Sequence, residues 1–145
     1  MSTGDTYDLE RFVAAQDQSG TYRSALAELR AGAKRGHWMW FVFPQIRGLG
    51  SSPAAQRYAI GSLAEAEAYL AHPVLGSRLR EAARALAELD GPEDPEAILG
   101  SIDALKLRSS MTLFARADPG EPAFRAVLRR YYGGQGDPAT EARLG

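Results

Sequence analysis

Along most of this chain apolar residues recur three and four positions apart, and prolines mark where the runs begin. Leu9, Phe12 and Val13 predict a first helix, and Tyr22, Ala25, Leu26 and Leu29 a second that stops near Gly32. Leu63, Ala66, Tyr69 and Leu70 predict another. The longest stripe, Leu75, Leu79, Ala82, Ala83 and Leu86, reads as a central helix from Pro73 to about Leu89, closed by Asp90-Gly91-Pro92. Asp103 is placed to cap a helix reaching Phe114 or Arg116. Phe124, Val127, Leu128 and Tyr131 stripe a last long helix that ends at Gly133-Gly134, and a short helix is expected after Pro138. Ser52-Pro53, His72-Pro73, Asp94-Pro95, Glu121-Pro122 and Asp137-Pro138 all suit helix starts, because a first-turn proline gives up no needed backbone donor. Ser62-Leu63-Ala64-Glu65 adds a capping box.

Residues 38–43 break this pattern, being too short and too uniformly apolar for a helical period, and Pro44 closes them. With no strong second strand to pair them, they are expected to form buried connecting chain or a very short strand. The fold class is therefore all-α: a single compact helical bundle over residues 8–145, with residues 1–7 expected to be a flexible N-terminus. The length of 145 residues suits one domain, and a globule of this size buries about 68–70% of its unfolded surface. Hydrophobic residues at 45% and charged residues at 24% match an ordinary folded protein and not a disordered one.

Charge narrows the possible partners. With 17 basic and 18 acidic residues the net charge is −1, so no global field favours nucleic acid or an anionic membrane. The absence of cysteine removes disulfides, thiolate metal sites and thiol nucleophiles. The start of the chain carries no secretory signal pattern, and no apolar run approaches the roughly 18 residues that span a bilayer, so a cytoplasmic location is expected.

The stretch Lys34-Arg35-Gly36-His37-Trp38-Met39-Trp40-Phe41-Val42-Phe43-Pro44-Gln45 resembles the bacterial family known as domain of unknown function 1810. His72-Pro73-Val74-Leu75-Gly76-Ser77-Arg78-Leu79 and Asp103-Ala104-Leu105-Lys106-Leu107-Arg108-Ser109-Ser110-Met111-Thr112-Leu113-Phe114 carry the same likeness, which runs from about Asp8 nearly to the end. The resemblance implies a small, mostly helical bundle of bacterial origin and no established activity or cofactor. A calpastatin label sometimes given to such sequences does not fit, because calpastatin inhibitory segments are disordered and this composition is globular. The loops around Asp17-Gln18-Ser19-Gly20 and Ser101-Ile102 depart from the family pattern without touching a motif residue.

The same segments hold the candidate chemistry. His37 can exchange a proton near neutral pH, though a histidine beside an aromatic run also serves as a packed residue bonded to backbone. His72 is explained by capping, and two histidines without ligand spacing make no metal site. Trp38 and Trp40, with Phe41 and Phe43, are core by default, but alternation lets the two tryptophans face one way, where a ring-bearing ligand can stack. Gln45 and Arg47 follow in a glycine-containing loop. Lys106, Ser109 and Ser110 lie three and four residues apart on one helix face, so an ammonium and two hydroxyls can converge on an anion. The same spacing permits a lysine-activated serine, or a Ser110 that merely bonds back to a carbonyl. Gly48-Leu49-Gly50-Ser51-Ser52-Pro53 lacks the P-loop pattern and reads as a loop and cap.

Two readings stay open. In the first, the protein binds, or processes, a small polar anionic or nucleotide-like ligand in a cleft between residues 37–45 and the helix at 106–112, lined by His37, Trp38, Trp40, Gln45, Lys106, Ser109 and Ser110. In the second, the Trp38 and Trp40 segment anchors a protein partner or a homodimer without catalysis. No cofactor or metal is assigned in either.

Overall fold

Each of the five prolines expected to open a helix occupies a first helical turn, with a side chain capping it from the residue before. The computed structural model describes residues 5–145, and the regular elements among them are helices. They are α1 (Glu10–Asp17), α2 (Thr21–Ala31), α3 (Met39–Val42), α4 (Pro53–Arg57), α5 (Leu63–Ala71), α6 (Pro73–Ala87), α7 (Pro95–Leu99), α8 (Ser101–Ala117), α9 (Pro122–Tyr132) and α10 (Pro138–Leu144). A 3-10 turn at Gln18–Gly20 joins α1 to α2. The His72 Nδ1 accepts from the Val74 and Leu75 amides at 3.1 and 3.2 Å, which is the capping role expected of it. The Ser62 hydroxyl accepts from the Glu65 amide, while the Glu65 carboxylate reaches back to Gly61.

Two long helices organise the packing. α6 lies against α1, α2, α5 and α9, as the central stripe predicts, and α8 lies against α5, α7, α9 and α10. A row of aromatic rings crosses between the layers: Phe12 meets Tyr69 at 5.1 Å between centroids, Tyr69 meets Phe114 at 5.3 Å, and Phe114 meets Phe124 at 6.0 Å. These rings tie α1, α5, α8 and α9 into one core, which Trp38, Met39, Val42 and Phe43 also enter.

Two expectations are corrected. Residues 38–43 are not extended: they contain the single helical turn α3, in which the Val42 amide bonds Trp38 O and the Phe43 amide bonds Met39 O. Buried donors need partners, and with no strand alongside them a local turn supplies these. An isolated parallel bridge, Ile46 with Ile60, lies just beyond. Asp103 is not the cap of α8, which starts two residues earlier behind Gly100 at φ 87°; its carboxylate is turned instead onto two lysines. Of the expected flexible N-terminus, residues 1–4 lie outside the described residues; Asp5 accepts from the Leu9 and Glu10 amides, and Tyr7 packs on the core.

Candidate functional site

The loop between α2 and α3 is built around one carboxylate. Glu28 accepts from the Arg35 amide at 2.7 Å, the Gly36 amide at 3.0 Å and the Trp38 Nε1 at 2.9 Å. Burial pushes the Glu28 carboxyl up, but these three donors and the neighbouring Lys34 charge outweigh it and hold the group below its ordinary value. Trp38, only 1% exposed, is thereby fixed in the core. The helical turn that follows sends Trp40 and Phe41 to half-buried positions, so the two tryptophans do not share a face.

Residues 37–45 and α8 do meet. The Lys106 ammonium stands 4.1 Å from the centre of the Trp40 ring and 3.4 Å from Asp103, whose other oxygen pairs with Lys34 at 2.8 Å. Trp40 and Lys106, both expected to line a cleft here, thus contact each other, and the Lys34 side chain is almost wholly enclosed. The remaining residues of the expected set separate. His37 is exposed on its loop, and Gln45 is half-buried, its carbonyl accepting from the Ile60 amide at 2.8 Å. Ser109 is buried with its hydroxyl 2.7 Å from that of Thr140 on α10. Ser110 is buried with its hydroxyl unpartnered, so it makes no back-bond to a carbonyl. Neither serine is hydrogen-bonded to Lys106 or to a histidine, which leaves the lysine-activated serine without its required contact.

Two grooves elsewhere show opposite electrostatics. Between α1, α2 and α6, Arg78 pairs with Asp17 at 2.8 Å, and the Tyr22 hydroxyl donates to Glu81 at 2.7 Å, so charge is balanced within the groove. Burial, reinforced by that hydrogen bond and the Glu81 charge, raises the Tyr22 phenol above its ordinary value.

Between the last turns of α8, α9 and the turn at 133–136 lies a groove of about 520 Å³. Arg116 on α8 and Arg125 and Arg129 on α9 line it together with Ala115 and Leu128. Its one acid, Glu141, is paired with Arg116 at 2.9 Å. Arg125 donates to the Pro119 carbonyl, and neither Arg125 nor Arg129 forms an ion pair among the described residues. The nearby acids Asp118 and Glu121 are taken by Arg80 and Arg84. This arginine set was missed in the sequence. The only local signal is the four-residue spacing of Arg125 and Arg129, which any solvated helix face can show.

A family model described as "Protein of unknown function (DUF1810)" matches residues 6–144. The chain belongs to the DUF1810 family. The likeness carried by the segments around Trp38, His72 and Lys106 is therefore borne out over nearly the whole DUF1810 chain. A solved structure similar to it is that of the conserved hypothetical protein Rv1873 from Mycobacterium tuberculosis. The two are 57% identical, covering 97% of this chain and 98% of that one, with a TM-score of 0.93. No curated protein matches. Among the described residues no helix is long and apolar enough to cross a membrane.

Proposed function

We propose that this DUF1810 protein binds a small anionic ligand, held by the arginine groove between α8 and α9. The carrying observation is charge imbalance in a concave site: three arginines line a groove that also exposes Ala115 and Leu128, and the single acid in its lining is already engaged. Arginine offers five donors in a planar fork, so two unpaired forks spaced four residues apart on α9 suit a phosphate or carboxylate group. Ala115 and Leu128 accommodate an apolar portion of the same ligand. The Lys106 and Trp40 contact supports the reading less, because that ammonium is already on an indole face and beside Asp103. Binding alone is proposed, and a cytoplasmic location goes with it.

Thermal unfolding in rising concentrations of inorganic phosphate and pyrophosphate tests this. A ligand at a hundred times its Kd stabilises by about 2.7 kcal/mol, so saturation should raise the melting temperature of the parent. The Arg125→Gln/Arg129→Gln variant should melt normally without anion and respond far less to it. An equal response in parent and variant would remove the groove from consideration.

A second reading is favoured by one observation. Ile102 and Leu105 on α8 are 69% and 68% exposed, while the continuation of that helix face, at Ser109, is covered by α10. An uncovered apolar pair close to Lys106 and Trp40 suits self-association of the chain into a homodimer. Light scattering across a concentration series should then show a dimer that Leu105→Ser abolishes; a parent that stays monomeric at every concentration ends this reading.

A further inference from the structure

The basic surface does not stop at the first groove. On the other flank of α10, residues 46 and 47 beyond α3, the start of α5 and the end of α10 enclose a second groove of about 680 Å³. Arg47 and Arg143 line it with Ile46, Leu63 and Leu144, and no acid does. Neither arginine forms an ion pair among the described residues. The Arg143 guanidinium lies against Gly48, in the space a β-carbon there would fill, so that glycine makes room for the arginine head. The two grooves bracket one short helix: Glu141 lines the first and Arg143 the second. Two residues of helix turn through about 200°, so the grooves lie on opposite flanks, separated by roughly the 10–12 Å width of a helix. The linings of the two grooves thus hold five arginines and one glutamate, already paired, in a protein whose net charge is −1.

Resting on the anionic-ligand reading above, we infer that the binding surface continues over α10 into the second groove. The ligand it fits carries two phosphate groups set apart by about a helix width, one for each arginine cluster. A single phosphate fills one groove only. A chain of linked phosphates, or a small molecule phosphorylated at both ends, fills both, and each added phosphate contact releases further counterions and steepens the salt dependence.

The experiment uses two bridging probes, a short fluorescein-labelled deoxythymidine oligonucleotide and hexane-1,6-diol bisphosphate, with inorganic phosphate as the single-group control. Anisotropy and calorimetry at low salt are run on the parent, on Arg47→Gln/Arg143→Gln and on Arg125→Gln/Arg129→Gln, after thermal melts establish that all three are folded. Loss of the second groove should weaken a bridging probe about tenfold or more, while the inorganic phosphate binding that Arg125→Gln/Arg129→Gln removes should persist. If the oligonucleotide is the bridging probe bound, the slope of log K against log salt should also fall by about 0.7 for each single-strand contact removed. Binding of only the bisphosphate assigns the site to a small molecule, and binding of the oligonucleotide assigns it to a nucleic acid strand. If the Arg47→Gln/Arg143→Gln variant binds both probes as the parent does, or the parent binds neither, the two-groove inference fails while the single-groove reading stands on the phosphate result. If the Arg125→Gln/Arg129→Gln variant binds inorganic phosphate like the parent, the underlying reading fails.

Discussion

Trp38 and Trp40 stand two positions apart and do different physical work. Trp38 fills core volume and spends its indole N–H on Glu28, whereas Trp40 gives one ring face to the Lys106 ammonium and keeps part of its surface in water. Trp38→Ala should therefore cost about 3–5 kcal/mol, the range for emptying a large buried aromatic site. Trp40→Ala should cost less than half as much; urea unfolding of both variants checks the order, and equal losses would contradict it. Glu28 adds a pH dependence whose sign follows from its depressed pKa. A carboxylate that binds its proton more weakly when folded contributes stability that is present above the ordinary value near 4.5 and lost as pH falls through the folded value. Glu28→Gln should thus be most destabilising at neutral pH. Its deficit relative to the parent should narrow below pH 4.5 in a series of denaturation curves.

At the scale of the elements, α5 and α6 meet so closely at Gly76 that a β-carbon there would run into the Leu70 carbonyl. Alanine is the better helix former by about 1 kcal/mol, but it forces backbone against backbone, and overpacking of this kind costs about 1–3 kcal/mol. Gly76→Ala should therefore lower the thermal midpoint despite its higher helix propensity, and a raised midpoint would show that α5 shifts freely. The helices were legible in the sequence because their starts rest on local chemistry: a capping side chain, a proline and a stripe, as at His72, Pro73 and Leu75. The turn α3 was not. Four residues give no periodicity, and what makes Met39–Val42 helical is a tertiary demand, the burial of amides beside Gln16, whose side chain donates to the Phe41 carbonyl at 2.8 Å. Asp103 was misplaced for a related reason: a carboxylate early in a helix reads as a cap until the lysines it pairs with, one of them sixty-nine positions earlier, are brought to it.

For the molecule as a whole, the candidate site was only partly legible. The sequence brought Trp40 and Lys106 together through their motifs, but the arginines of the two grooves come from four separate stretches, and a net charge near zero hides such segregation until the chain is folded. The fold also makes a strong statement about cooperativity. Both tryptophans lie within α3 and the residue before it, so their fluorescence reports one turn at the edge of the bundle, whereas far-ultraviolet circular dichroism reports the helices together. That turn is joined to the rest through Trp38 in the core and through Gln16, which links the Phe41 carbonyl to the Tyr69 hydroxyl and accepts from Arg78 on α6. Loosening it exposes one side of the aromatic row that joins α1, α5, α8 and α9, so the turn and the bundle should not melt apart. A chain of this size with one continuous core is expected to unfold in a single two-state step. Urea curves followed by tryptophan fluorescence and by circular dichroism should therefore superimpose in both midpoint and slope. A fluorescence transition at lower urea would mean that α3 opens before the bundle, and the protein would then have to be treated as two units of unequal stability.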